Sequence, residues 1–224
     1  MYTPRPSAVV LGFLVGLVTS SVLASETHSS EKKGPALSEI AKRLSEGNAT
    51  FVKGGVSPTE VDASRRAEIA ASQAPWCTVL TCADSRVPPE HIFHAGLGEL
   101  FTVRVAGNVA DPVTVGSIEY AAEHLGSSVV VVMGHERCGA VKAALGTGSL
   151  GPNLDALLGL IRPSIKGLSD LDSAILANAR AQVTELKKSA ILEEMVEAGK
   201  LTIVAAYYDL DSGCLLYTSP SPRD

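Results

Sequence analysis

Two cysteines and a histidine carry the metal chemistry open to this chain. Cys82 opens the segment Cys82-Ala-Asp-Ser-Arg86, and the apolar run Ser128-Val-Val-Val-Val-Met133 leads into His135-Glu-Arg-Cys138. Thiolate and imidazole are the donors a borderline-soft zinc ion prefers. Three protein ligands leave one of zinc's four positions open, the pattern of catalytic rather than structural sites. A zinc finger or ribbon pairs its ligands as two short-spaced couples, whereas here one couple, His135 with Cys138, faces the distant Cys82. Taken singly, the cysteines read as ordinary buried thiols and the histidine as a strand-end residue. What changes the weight is Asp84 with Arg86, a carboxylate and a guanidinium in the loop directly after a hydrophobic strand.

Two thiolates neutralise the formal charge of a zinc ion, which makes it a weaker Lewis acid than one held by three histidines. Its water then needs help to lose a proton, toward the usual pKa of about 7. Asp84 is placed to accept a hydrogen bond from that water, and Arg86 to hold the carboxylate ionised and fixed through a bidentate pair.

These segments resemble the two signatures of the beta-class carbonic anhydrases, Cys-x-Asp-x-Arg and His-x-x-Cys. The likeness runs from about Leu37 to about Gly213 and includes Arg104-Val-Ala-Gly-Asn108 and Gly116-Ser-Ile-Glu-Tyr-Ala121. It implies an α/β fold with a central, mostly parallel β-sheet flanked by helices, and a domain over residues 36–213. It also implies zinc on Cys82, His135 and Cys138, Asp84 and Arg86 as the catalytic dyad, and reversible hydration of carbon dioxide to bicarbonate and a proton. In a blocked state of such enzymes Asp84 would itself ligate the zinc. Gln73, Phe101 and Tyr120 match the plant-type, constitutively open members, whose glutamine donates to bicarbonate and whose aromatics line an apolar pocket at a dimer interface. Ala106, which stands where a valine is usual, and Gly139 are assigned to the same pocket. Val79 and Thr81 replace the small residue and tryptophan that mark the blocked type. The family resemblance further implies self-association as a dimer or tetramer. Two alternatives share the scaffold: a non-catalytic bicarbonate-binding or assembly protein, and a hydrolase of carbon disulfide or carbonyl sulfide.

The elements that must position these residues alternate. Nearly continuous apolar runs at Trp76 to Thr81, Leu100 to Val105, Ser128 to Met133 and Leu201 to Tyr207 predict strands buried on both faces. Helices are predicted at Leu37 to Lys53, Val61 to Ser72, Val113 to Leu125, Cys138 to Leu145, Asn153 to Ile161 and Leu171 to Glu197, the last broken near Ser189. That order gives a parallel sheet covered by helices. Ligands of such sheets collect beyond the carboxyl ends of the strands, where Cys82 and His135 stand.

With 224 residues, 46% hydrophobic and 19% charged, the chain has material for one sizeable core. A net charge of -5 offers no basic surface, so nucleic acid is not an expected partner. Residues 1–24 read as a secretory signal peptide: Arg5 is followed by an apolar stretch from Ala8 to Val18 and by Val22-Leu-Ala24 at the cleavage position. Export to the periplasm or outside the cell follows. A membrane anchor is the competing reading, opposed by Thr19-Ser-Ser21 and by the lack of a positive stop-transfer flank. Residues 25–35 are polar and expected to be a disordered linker.

An exported protein can hold disulfides, but Cys77 lies within a strand and is expected to be buried and free. Along an extended strand it would stand roughly 17 Å from Cys82, beyond disulfide reach. Residues 214–224 read as a truncated or non-native tail, in which Leu215 to Tyr217 alone could pair as a strand before the Ser-Pro repeats. His91, His94 and His124 are candidate proton shuttles, though such residues are more often solvated or bonded within the core.

Overall fold

Val129–His135, four valines followed by Met133, Gly134 and His135, is buried at every position and becomes the middle strand of the sheet. β-branched side chains favour this pleated, packed setting. In the computed structural model, which describes residues 35–55 and 61–218, five strands form one sheet. They are β1 (Cys77–Thr81), β2 (Leu100–Arg104), β3 (Val129–His135), β4 (Thr202–Tyr208) and β5 (Leu215–Thr218), in the order β2-β1-β3-β4-β5. The first four run parallel and β5 returns antiparallel to β4. The α/β class and the mostly parallel sheet are therefore as predicted.

Eight helices are seen among the described residues: α1 (Leu37–Val52), α2 (Ala63–Ile69), α3 (Pro89–Ile92), α4 (Pro112–Leu125), α5 (Gly139–Leu145), α6 (Pro152–Ile161), α7 (Leu171–Leu186) and α8 (Ala190–Glu197). Alternate residues of β3 serve opposite faces of the sheet. Val129, Val131 and Met133 join Ile40, Leu44, Val141, Leu158 and Ile161 in one core, while Val130 and Val132 join Ile118, Ala122, Leu186 and Leu192 in the other. None of these helices is long and apolar enough to cross a membrane.

Local chemistry sets the helix ends. Asp111, Asp170 and Ser189 cap α4, α7 and α8 by accepting from Thr114, Ser173 and Leu192 backbone N–H groups. Each such cap contributes about 1 kcal/mol. The break expected near Ser189 is thus a new N-cap. Asp62 caps α2 in the same way, so that helix begins at Ala63 rather than Val61, and it ends at Ile69.

One expectation is corrected. β2 is not buried on both faces; it is the edge strand, half-buried along its length with Arg104 exposed, because only β1 pairs with it. The four-residue α3 has no counterpart among the predicted helices. The predicted signal peptide at 1–24, the linker short of Pro35 and tail residues 219–224 lie outside the described residues, whereas Leu215–Thr218 pairs with β4.

The apolar stripe of α1, Ile40 and Leu44, ends in a buried polar residue, Asn48. Its Nδ2 donates to the Gly213 carbonyl at 2.8 Å and its Oδ1 accepts from Leu215 N–H at 3.1 Å, so α1 is tied to the start of β5. Beside it Gly47 lies so close to the chain that a Cβ there would fall 1.9 Å from the Phe93 carbonyl oxygen. Asn48→Ala leaves the buried carbonyl without its partner and should cost about 1–3 kcal/mol. Urea unfolding followed by fluorescence checks this, and an unchanged midpoint would refute the tie.

Candidate metal centre

The strand order places the ligands. From β1 the chain passes to one side for β2 and returns to the other side for β3, so the crossovers diverge beyond the carboxyl ends of β1 and β3 and leave a crevice there. Cys82 directly follows β1 and His135 is the last residue of β3, with Thr81 and Met133 in register. Cys138 then caps α5. Between the two, Arg137 takes a left-handed φ of 55°, a tight reversal that returns the chain to the crevice. Gly134 lets α7 pack hard against the strand: a Cβ there would meet Ile175 Cγ2 at 2.9 Å.

Cys82, His135 and Cys138 are all buried, and their donor atoms lie within 4.8 Å of one another. His135 Nδ1 stands 2.9 Å from the Glu136 carbonyl oxygen, which can only accept, so Nδ1 carries the proton. Nε2 is then a bare lone pair, fully buried and without a hydrogen-bond partner. Such an orphan is costly unless something else binds it. The Cys138 thiol and the Gly107 N–H beside it pull the Cys82 thiol down. Donation and burial together push Cys138 up. A divalent ion bound here would take the place of the thiol protons. The donor set fits a borderline-soft divalent metal.

Asp84 stands beside the three ligands. Its Oδ1 accepts from Arg86 N–H and Nε, each at 2.9 Å, and Oδ2 accepts from Arg86 Nη2 at 2.7 Å. Oδ2 also lies 3.9 Å from His135 Nε2. The Arg86 guanidinium holds this carboxyl well below the usual carboxylate range.

Ala106 and Gly139 adjoin the ligand segments, whereas Gln73 and Tyr120 lie on a separate groove. Gln73 is exposed and lines, with Ile69 and Tyr120, a groove of about 530 Å³. The Phe101 and Tyr120 rings are 6.4 Å apart, and Tyr120 is 49% exposed. None of the three metal ligands lines that groove. Ala106 begins the 3-10 turn Ala106–Asn108, and a side chain at Gly139 would meet only open space. Among the histidines, His91 and His124 are exposed and His94 is half-buried.

The family model described as carbonic anhydrase matches residues 77–215. Carbonic anhydrase 2 of Mycobacterium tuberculosis is 40% identical over 182 residues, covering 77% of this chain and 88% of that protein. A carbonic anhydrase of Mycolicibacterium smegmatis is 37% identical over the same coverage. A solved beta-carbonic anhydrase of Aspergillus fumigatus superposes with a TM-score of 0.62 at 30% identity, covering 83% of this chain and 92% of that one. This chain belongs to the beta-carbonic anhydrase family. A Coccomyxa beta-carbonic anhydrase solved with acetazolamide is similar as well, with a TM-score of 0.62 at 26% identity over 80% of this chain and 82% of that one.

Beyond the family signatures, Arg104 reaches from β2 to the ligand loop. Its Nε donates to the Cys82 carbonyl at 3.1 Å and its Nη2 to the Asp84 carbonyl. The sequence shows Arg104 inside a family segment but carries no sign of this role, since the partner lies on another strand. Glu136 is a second such residue, accepting from Leu210 N–H at 3.0 Å.

Removal of a ligand should empty the centre. Cys82→Ser and His135→Ala are expected to lose more metal affinity than the roughly 10–100-fold that a missing supporting hydrogen bond costs. Elemental analysis after dialysis against a chelator measures this, and full metal content in either variant would exclude the assignment.

Proposed function

We propose that the chain interconverts carbon dioxide and bicarbonate, with zinc held by Cys82, His135 and Cys138 and with Asp84 and Arg86 as the catalytic pair. One observation carries the reading. Three buried soft donors converge within 4.8 Å, and 3.9 Å from the histidine's free nitrogen stands a carboxylate locked to a guanidinium. Zinc, when bound, supplies the Lewis acidity that makes water a nucleophile near neutral pH.

The protein's own groups do the rest. Asp84 stays ionised at neutral pH because Arg86 favours its charged form. It therefore acts as a hydrogen-bond acceptor, orienting a water so that a lone pair faces the carbon of carbon dioxide. Both Asp84 oxygens are already bound to Arg86, which fixes the carboxylate's plane and keeps it off the metal. That pairing supports the constitutively open type, as do Val79 and Thr81. The proton released leaves to buffer.

Gln73 supplies an amide for bicarbonate, and Phe101 with Tyr120 supplies an apolar wall for a substrate with no net dipole. In the single chain Gln73 and Tyr120 are exposed and Phe101 is half-buried, which supports their completion by a second copy. A beta-carbonic anhydrase of Sordaria macrospora, similar in fold with a TM-score of 0.65, is tetrameric. We further infer export, from the apolar stretch after Arg5 in residues 1–24.

Stopped-flow hydration of carbon dioxide, with carbonyl sulfide and carbon disulfide as comparison substrates, tests the reading. Asp84→Asn should retain zinc while kcat falls about 10²-fold, the lower range of a lost proton-handling group. An Asp84→Asn protein as fast as the parent would remove Asp84 from the mechanism.

A further inference from the structure

The turn that carries Ala106 and Gly107 is held from behind by two buried amides of α7. Asn178 and Gln182 lie one helical turn apart and are 0% and 4% exposed. Amides so deeply buried are costly unless each donor and acceptor finds a partner. The partners here form a line in which every orientation is forced.

Ala110 N–H can only donate, and it does so to Gln182 Oε1 at 2.8 Å. Gln182 must then present Nε2 to Asn178, whose Oδ1 accepts at 3.0 Å. Asn178 in turn directs Nδ2 away, and it donates to the Gly107 carbonyl at 2.9 Å. Ser164 Oγ lies a further 3.5 Å from Asn178 Oδ1. On its other side, Gly107 N–H donates to the Cys82 sulfur at 3.3 Å.

Gly107 cannot hold that pose by itself. Its φ of 70° is open to glycine at little steric cost, and a Cβ would fall 2.6 Å from Ile161 Cδ1. A glycine peptide also has the most conformational freedom to lose. The amide pair on α7 removes that freedom by gripping the carbonyl end.

We propose that Asn178 and Gln182 are positioning residues of the metal centre: they orient the Gly107 peptide so that its N–H stays on the Cys82 sulfur and draws charge from that thiolate. Two thiolates cancel the formal charge of a divalent ion, and a hydrogen bond to one of them returns part of the ion's Lewis acidity. The proposal rests on the metal reading above.

The full chain loaded with cobalt(II) tests it, since the thiolate-to-cobalt charge-transfer band reports electron density on sulfur. Asn178→Ala should move the band to longer wavelength and loosen the metal about tenfold in chelator competition. Gln182→Ala, one bond further away, should do the same more weakly. Asn48→Ala, which removes another buried amide bonded instead to Gly213 and Leu215, should lower stability and leave the band in place. A folded Asn178→Ala protein with an unmoved band overturns the proposal.

Should the Asn178 and Gln182 variants not fold, the parent protein loaded with NMR-active cadmium decides. A scalar coupling between the Gly107 amide proton and cadmium, passed through the N–H···S bond, is expected, and its absence overturns the proposal. A parent protein with no charge-transfer band at all would sink the metal reading as well, a result distinct from a band that is present and unmoved.

Discussion

Two sulfurs and an imidazole nitrogen converge at the buried end of an apolar sheet, and the polar structure nearby is arranged around them. An uncompensated charge at such depth costs several kcal/mol even after relaxation. Cys82 is therefore met by the Gly107 amide and by the Cys138 thiol. The histidine is fixed in turn by the Glu136 carbonyl, so that its bare nitrogen faces inward. Just outside, Arg86 and Arg104 supply positive charge without entering the core: Arg86 binds the Asp84 carboxylate and Arg104 the carbonyls of Cys82 and Asp84.

Bringing Cys138 back beside His135 requires backbone that an ordinary sheet protein would not need. The ligand loop must turn from the end of β3 into α5 within three residues, and it does so by placing Arg137 in the left-handed region. Such a conformation costs of order 1–3 kcal/mol and persists only where its surroundings hold it. Here Glu136 N–H donates to the Tyr208 carbonyl, the Glu136 carboxylate accepts from Leu210 N–H, and Arg137 pairs with Asp211. The Arg137–Asp211 pair is exposed and adds little by itself. The backbone bonds do more, because they extend the β3–β4 ladder past its last paired residues, His135 and Tyr208.

Much of this was legible in the sequence because it is local. Cys82 with Asp84 and Arg86, and His135 with Cys138, are close-spaced signatures that follow apolar strands, and the strand and helix periods around them survive in the fold. What was not legible depends on which strand or helix lies next to which. A hydrophobic run such as Leu100 to Val105 does not reveal whether it will be central or at the edge, and β2 proves to be the edge. The link from Asn178 to Gly107 joins residues far apart in the chain, and a lone Asn on a helix is an unremarkable solvated residue until the fold buries it. Arg104 belongs to the same case: its acceptors are carbonyls, which leave no trace in a sequence.

The two halves of the proposed active site differ in how far one chain completes them. The metal half is internal, with His135 fully buried and its supports drawn from β2, β3, α5 and α7 of the same fold. The substrate half is not. Tyr120 is half-exposed, Gln73 lies on the surface, and the groove they share is walled mainly by α2 and the segment after it. An apolar wall open to solvent gains little by meeting carbon dioxide, because water already fills the space and polar groups compete for it. On the proposed reading, association of two chains would convert that wall into a pocket, while metal binding would need only the folded monomer. The metal centre thus draws its supports from one chain, whereas the proposed surface for the gas would be completed by a second.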